Sequence, residues 1–485
     1  MNSLTRRSFV KRTATTAAVL SAASWNRVLG SNEAVRVGVI GFRGRGGDHI
    51  GGLSGIPGVR MAGLCDVDGK VLDAEVKKRN EKGEDVKGFT DMRKLFEDKS
   101  IDVVTTATPN HWHALLTVWA CQAGKDVYCE KPVSHNVWEG RQAVNAARKY
   151  NRVVQTGTQS RSSHAIKEAV EWVQAGNLGK ITLARGLCYK PRRSIGKVTA
   201  PTPIPPGIDY DLWCGPAPMV PLMRQNLHYD WHWVWDTGNG DVGNQGIHQM
   251  DIARWFLGEQ ELSSRVISAG GRLGYVDDGQ TPNTQVVYHH YDRAPLIFEV
   301  RGLPQDRASQ ADALWTKSMD KFMGGSVAVV IHCEGGHVLV PSYSEAVALD
   351  TTGTELKRWK GAKNHYENWI EAVRARKPAL LTADILEGHL SSALCHTGNV
   401  SYLLGSRMKP GEARERLAGF SGLHEAYDRM VEHLRRNEIN LDEDRLALGA
   451  GLTMDPKTER FAGNDAANRL LTREYRKPYV VPEQV

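Results

Sequence analysis

Residues 35–53 read VRVGVIGFRGRGGDHIGGL, and this stretch decides the fold of the first half of the chain. A β-branched run from Val35 to Ile40 breaks into glycines and resumes with helical spacing. Strand, glycine turn and helix, in that order, present backbone N–H groups and a helix N-terminus to a pyrophosphate at the edge of a doubly wound sheet. The dinucleotide fingerprint G-x-G-x-x-G would place glycines at 41, 43 and 46; Gly41 and Gly46 fit, and the middle position is Arg43. Gly44 is then expected to allow the close backbone approach, with the guanidinium groups of Arg43 and Arg45 available to phosphate oxygens.

The following sequence supports that reading. A second apolar run, VRMAGLCDVD (59–68), carries Asp66 near its end. A carboxylate there accepts hydrogen bonds from the adenosine ribose and repels a 2′-phosphate, which favours NAD over NADP. Helical and strand-like segments then alternate: a helix around 91–98, a strand at 101–107, a helix at 111–123, a strand at 126–129, a helix near 137–150 and a strand from 152. Such alternation predicts a parallel sheet with right-handed crossovers, whose ligands sit beyond the carboxyl ends of the strands. TPNHWH (108–113) and EKP (130–132) both fall just past a strand. Thr108, Pro109, Asn110, His113, Glu130 and Lys131 are therefore expected to face the cofactor crevice. The proline ends the strand and restricts where Lys131 can go, and a lysine beside a nicotinamide can hydrogen-bond a substrate hydroxyl and favour its deprotonation.

After residue 160 the texture changes to short alternating runs separated by Gly, Pro and Asp, the pattern of an antiparallel sheet with one face solvated or lined for a ligand. Between the first two runs lies LHYDWHWVWDTGNGDVGNQGIHQMDIARWFLG (227–258), the densest aromatic and histidine stretch in the chain. In its second half Gly246 leads into a helix on which His248, Asp251 and Trp255 share a face. In its first half Trp231, His232 and Trp233 offer indole faces for the C–H side of a sugar and polar atoms for its hydroxyls. Gln159, Asp241 and Asp251 are placed with them in the expected substrate set. His228, His232, His248 and Asp251 could also assemble around a metal, but they form no compact ligand motif and none is expected.

Together, VGVIGFRGRG, TPNHWH, EKP and GNQGIHQMDIARW resemble the Gfo/Idh/MocA family of sugar and polyol oxidoreductases, over roughly residues 34–405. The resemblance implies an N-terminal Rossmann domain, then an α+β domain whose open, mostly antiparallel sheet covers the nicotinamide, holds the substrate and often serves in oligomer contacts. It implies that His248 receives the substrate proton. The family usually has an aspartate four residues before this histidine, completing a Lys, Asp and His set; here the residue is Asn244. An amide orients a hydroxyl or imidazole but carries no charge, so an imidazolium would be less stabilised, unless Asp241 or Asp251 supplies the carboxylate.

Composition bounds the rest. With 485 residues, 41% hydrophobic and 24% charged, the chain should be globular, in more than one domain. The formal charge of +7 includes Arg6, Arg7, Lys11, Arg12 and Arg27, in a stretch with no Asp or Glu; the remainder carries about +2, which leaves a nucleic-acid partner without support. TRRSFVKRTATTAAVLSAAS (5–24) resembles a twin-arginine export signal and is too short and weakly apolar to span a bilayer, so a periplasmic or otherwise exported protein without a membrane span is expected. The seven cysteines contain no C-x-x-C pair. The expected organisation is a signal and linker at 1–33, the dinucleotide domain at 34–157, a substrate and oligomerisation domain at 158–408 and an extension at 409–485, wrapped over the domain or a neighbouring subunit. The expected activity is oxidation of a sugar, polyol or glycoside hydroxyl by a homo-oligomer with tightly bound NAD. A redox-neutral NAD-dependent glycosidase and a non-catalytic sugar-binding homologue are the alternatives.

Overall fold

The computed structural model describes residues 34–443 and 445–485, so the twin-arginine stretch lies outside the described residues. The first unit runs β1 (Val35–Ile40), α1 (Arg45–Ser54), β2 (Val59–Cys65), α2 (Gly69–Asn80), β3 (Lys87–Phe89), α3 (Met92–Glu97), β4 (Val103–Thr106), α4 (Asn110–Gln122), β5 (Asp126–Cys129), α5 (Val137–Lys149) and β6 (Val154–Thr156). Among the described residues these strands form one parallel sheet in the order β3-β2-β1-β4-β5-β6. Val35, Val37, Val39, Val103 and Val104 are fully buried, as strands covered on both faces must be. The strand order reverses between β1 and β4, which opens a crevice at their carboxyl ends.

The second unit begins with α6 (His164–Gln174) and β7 (Ile181–Tyr189) and continues through α7 (Ile247–Leu257) to β8 (Arg265–Gly271), β9 (Thr284–His290), β10 (Leu296–Arg301), β11 (Val327–Cys333), β12 (Gly336–Ser342), β13 (Glu345–Asp350) and β14 (Glu355–Lys360). Next come α8 (His365–Ala375), α9 (Ile385–Leu403), β15 (Ser406–Met408), α10 (Leu423–Arg436), β16 (Leu446–Leu448) and β17 (Leu452–Asp455). The sheet order is β14-β13-β12-β11-β7-β10-β9-β8-β16-β15, with β17 also on β8. Only β7 and β10 pair in parallel among the described strands of this sheet. One face packs on α6, α7 and α9 through Ile166, Val170, Ile252, Phe256 and Leu394. Two helices return to the first unit: α8 packs Trp369 and Val373 against the β1 side of its sheet, and Ser392 on α9 accepts from the Val133 N–H at 3.1 Å.

The sheet is mostly antiparallel, as expected, but the face expected to be solvated or lined for a ligand is covered over β8–β10. There α10 sets Leu423, Tyr427, Met430 and Leu434 on Ile267, Val286, Tyr288 and Ile297. Beside this apolar patch the buried Glu299 is held by Arg185, Arg429 and the Tyr189 hydroxyl. The residues after 409 are thus built into the sheet rather than appended to it, since β16 pairs with β8. The last residues cross back to the first unit, where the Tyr479 ring meets Trp112 at 5.5 Å and its hydroxyl donates to Asp211 at 2.6 Å.

Several histidines sit in this core as neutral groups. Burial pushes His111, His289 and His396 down to about 3 and His365 down to about 4, against an ordinary value near 6.5. Between those values the unfolded chain binds protons that the folded chain refuses. Stability is therefore intact above about pH 6.5 and falls as pH drops toward 4, by up to about 1.4 kcal/mol per pH unit for each histidine. Urea-unfolding midpoints followed by tryptophan fluorescence are expected to fall steadily from pH 7 to pH 4.5; a flat profile would contradict this account of the core.

Candidate active site

The site starts at the glycine turn. Gly41 has φ +71°, and a Cβ there would meet Thr108 Cγ2 at 2.9 Å. At Gly46 a Cβ would lie 2.0 Å from the Gly41 carbonyl oxygen, so α1 can approach β1 only with glycine. Gly44 precedes α1 with φ 55° and ψ −112°, a conformation L-residues avoid, and space opens where its side chain would be. This is the relaxed position expected in place of Arg43. Asp66 follows β2 and is anchored by the backbone N–H groups of Phe42 (3.1 Å) and Asp68 (3.0 Å).

A cavity of about 700 Å³ runs from this turn to the second unit. Gly41, Arg43, Gly44, Arg45, Asp66, Thr108, Pro109, Asn110, His113, Glu130 and Lys131 all line it; Gly46 does not, because it packs α1 on β1. Several of these side chains are occupied as anchors. Arg45 donates to Glu130 at 2.8 Å through Nε and pairs with Asp48 through Nη1 while lining the cavity. Glu130 also meets His49 Nε2 at 3.1 Å, and a Cβ on Gly157 would strike its carboxyl group. Burial alone would raise the Glu130 pKa, but His49 and Arg45 hold it well below the usual carboxylate range. Glu130 therefore clamps α1 to the turn after β5. His113 joins the two turns through the carbonyl oxygens of Pro132 (2.6 Å) and Thr108 (2.8 Å), and Asn110 donates to Asn239 at 2.9 Å. The Lys131–Pro132 peptide is cis.

Lys131 and His248 line the same cavity from opposite units. Val242–Gly246 forms a π-helical turn that runs directly into α7, with His248 in the first turn of that helix. The Lys131 ammonium donates to the Asn244 carbonyl oxygen in this turn at 2.6 Å. Burial lowers the Lys131 pKa, opposed by the Glu130 charge. Burial, and after it the Lys131 charge, push His248 down to about 3, so its imidazole is neutral near pH 7. Its ring lies 4.9 Å from Tyr343, and its Nδ1 is buried without a hydrogen-bond partner. Asn244, Gln159, Trp231 and His232 also line the cavity, with the Trp231 and His232 rings stacked at 3.6 Å.

Three expected substrate residues lie elsewhere. Trp233 carries the Arg192 guanidinium over its ring at 5.1 Å instead of facing the cavity. Asp241 is chelated by the same Arg192, with a shortest contact of 2.7 Å. Asp251 is chelated by Arg161 at 2.9 Å and receives the Ser391 hydroxyl at 2.7 Å. Each carboxylate is consumed by a guanidinium, so neither replaces the missing aspartate at 244. Among the described residues no group of three His, Cys, Asp or Glu side chains could hold a metal, and His228 instead faces Asp68 at 3.4 Å. Sequence reasoning missed Lys190, Gln245 and Tyr343, which also line the cavity. Lys190 had a signal: Lys190 and Pro191 follow β7 much as Lys131 and Pro132 come after β5. Tyr343, in the turn between β12 and β13, had none.

Gly46→Ala tests the turn. The added methyl would meet the Gly41 carbonyl and the Phe42 Cβ, at a cost of about 1–3 kcal/mol for overpacking. The expected result is a lower urea midpoint together with NAD binding weakened about tenfold or more; Gly47→Ala, where the nearest atom to a Cβ lies at 3.7 Å, should leave both near wild type.

Comparison with known proteins agrees with this geometry. Residues 35–158 match the NAD-binding Rossmann fold of the Gfo/Idh/MocA oxidoreductase family, and residues 162–310 match its C-terminal alpha/beta domain. The chain is 27% identical over 209 residues to levoglucosan dehydrogenase of Pseudarthrobacter phenanthrenivorans, covering 41% of this chain and 46% of that protein. It is 25% identical over 286 residues to myo-inositol 2-dehydrogenase of Thermotoga maritima, covering 55% and 74%. The match thus spans about half the length of the first relative. Among solved structures, levoglucosan dehydrogenase in complex with NADH superimposes with TM-score 0.55 at 16% identity, covering 75% of this chain and 95% of that one. An oxidoreductase domain protein from Kribbella flavida gives TM-score 0.56 at 18% identity, covering 75% and 96%. At these identities the solved structures establish the fold. The two family matches run in order over more than half of the chain and meet at the cavity described above: the chain belongs to the Gfo/Idh/MocA family of oxidoreductases, and its first unit is the family's NAD-binding domain.

Proposed function

We propose that the protein is an exported dehydrogenase that oxidises a secondary hydroxyl of a sugar, polyol or glycoside, keeps its NAD between turnovers, and has the resulting NADH reoxidised in place by a second, carbonyl-bearing substrate. The observation that carries this reading is the meeting of Lys131 and a neutral His248 across one cavity, linked through the Asn244 carbonyl. The names of the relatives, one acting on levoglucosan and one on myo-inositol, suit a polyhydroxylated substrate. The residues fit NAD: the glycine turn admits the close backbone approach, and the anchored Asp66 stands where a ribose hydroxyl is received. When bound, NAD would supply the acceptor for the hydride leaving the carbinol carbon. Lys131 donates a hydrogen bond to the substrate oxygen and favours its deprotonation, and the His248 imidazole accepts the proton. Asn244 orients these partners, and Trp231 gives the ring C–H bonds an apolar face.

Retention of the nucleotide has its own support. A segment of the second unit arches back to the ribose end of the crevice, where the Gly69 N–H donates to Gly207 O at 3.0 Å and the Asp209 N–H to Val67 O at 3.3 Å. Tyr479 and Arg476 of the C-terminal tail hold this segment through Asp211. A cofactor enclosed in this way suits export in the folded state, which residues 5–24 suggest.

A second reading draws on His232. Its Nδ1 lies 2.6 Å from the Tyr229 carbonyl and must donate to it, which leaves Nε2 unprotonated in the same cavity. A second base of this kind suits transient oxidation, removal of the C–H proton beside the new carbonyl, and elimination of a glycosidic leaving group.

The first test is to denature the purified mature protein and identify the nucleotide released; stoichiometric NAD is expected, and an empty protein would end the retention reading. Lys131→Met is expected to lower kcat/KM by about 10²–10⁴ with fold and NAD content retained. Because burial pushes His248 down to about 3, the wild-type pH profile should show no limb near 6.5; such a limb, lost in His248→Asn, would show that the imidazole titrates at its ordinary value instead. Net NADH or a reduced acceptor with the glycosidic bond intact indicates simple oxidation, whereas release of an aryl aglycone with neither indicates the second reading.

A further inference from the structure

Lys190 follows β7 and lines the substrate end of the cavity. Its ammonium donates to Gln245 Oε1 at 2.9 Å, Gln245 donates onward to the Tyr343 hydroxyl at 2.6 Å, and Tyr343 lies against His248. One of the three ammonium protons is thereby fixed, and two remain for other acceptors. The charge census around it is one-sided. The cavity carboxylates are Asp66 and Asp91 at the ribose end, where Arg93 chelates Asp91, and Glu130, which Arg45 and His49 occupy. Beyond the wall, Asp241 and Asp251 are spent on Arg192 and Arg161. Among the described residues no carboxylate pairs with either Lys190 or Lys131, and both His232 and His248 are neutral. The Lys190 charge is close enough to depress both Lys131 and His232. Glu130 acts on Lys131 from a distance but is shared with Arg45 and His49, so the two ammonium groups at the substrate end have no carboxylate in contact with them, an arrangement that favours a ligand bringing one.

We propose, on the dehydrogenase reading above, that Lys190 determines specificity by receiving a carboxylate, so that the substrate is a uronate or other acid sugar rather than a neutral one. A single ammonium flanked by an amide and a phenol matches one negative charge. A phosphate ester is better served by guanidinium forks and helix N-termini, which this chain places at the opposite end of the cavity, in the turn before α1.

The test measures kcat and KM for gluco, galacto and manno series, each as the neutral methyl glycoside, its uronate and its 6-phosphate. The expected result is that in at least one series the uronate is preferred over its neutral parent by about tenfold or more, the scale of one charge-assisted hydrogen bond. Lys190→Gln should raise KM for that uronate by a similar factor with kcat changed little, and Lys190→Arg should restore it. Released NAD serves as the folding control for both variants. Preference for the neutral parent or the phosphate in every series, or a uronate preference that survives Lys190→Gln, overturns the assignment while leaving the dehydrogenase reading intact. Turnover of none of the compounds by protein that carries NAD overturns both.

Discussion

The hydrogen bond from the Lys131 ammonium to the Asn244 carbonyl is the contact on which the site depends. It joins the turn after β5 to the segment that enters α7, and so ties the two units together where chemistry is proposed. It needs a backbone carbonyl turned toward a neighbouring unit, and the Asn244 carbonyl supplies one from the π-helical turn at Val242–Gly246, just before His248. Burial of the imidazole is the main reason His248 stays neutral, and the charge of the half-buried Lys131 adds to it. One contact thus sets the separation of the two residues and reinforces the protonation state of one of them.

The rest of the first unit serves to hold Lys131 still. Glu130 precedes it in the chain and is pinned by Arg45 and His49 from α1, the helix that opens at the glycine turn. His113 bridges the turn after β4 to the turn after β5. The nucleotide turn, the TPN turn and the EKP turn are consequently one rigid group, and a shift of α1 at the pyrophosphate end would be felt at the lysine. The same logic explains why polar residues that look like ligands in sequence are spent on each other. A buried carboxylate or guanidinium without a partner costs far more than a pair.

This sorting also explains what was legible in the sequence. The parallel sheet was, because fully buried β-branched strands punctuated by Gly and Pro leave a periodic trace, and the observed β5 coincides with the run read from DVYC. The cavity residues supplied by strand ends, from Thr108 to Lys131, were legible by the same rule. Asp241 and Asp251 were not, because their occupants Arg192 and Arg161 lie 49 and 90 residues away and no local pattern announces such pairings. Trp233 was lost for the same reason. The role of the final 70-odd residues was also hidden: β16 is three residues long and is a strand only because β8 offers it an edge. The amphipathic α10, by contrast, carries its apolar stripe openly, but the sequence does not say which surface the stripe covers.

The asparagine at 244 has an electrostatic consequence beyond the one visible in sequence. With the family's usual aspartate there, the cavity would hold a fixed negative charge between Lys131 and His248. With an amide, and with Asp241 and Asp251 committed elsewhere, the substrate end keeps an uncompensated excess of positive charge to which Lys190 adds. The imidazolium that would form on His248 then has no anion of the protein's own beside it, because Glu130 is held by Arg45 and His49. An anion carried in by the substrate would ease both problems, giving the ammonium groups a partner and stabilising the proton on the histidine. The departure at 244 and the unmatched lysine after β7 are two parts of the same charge balance.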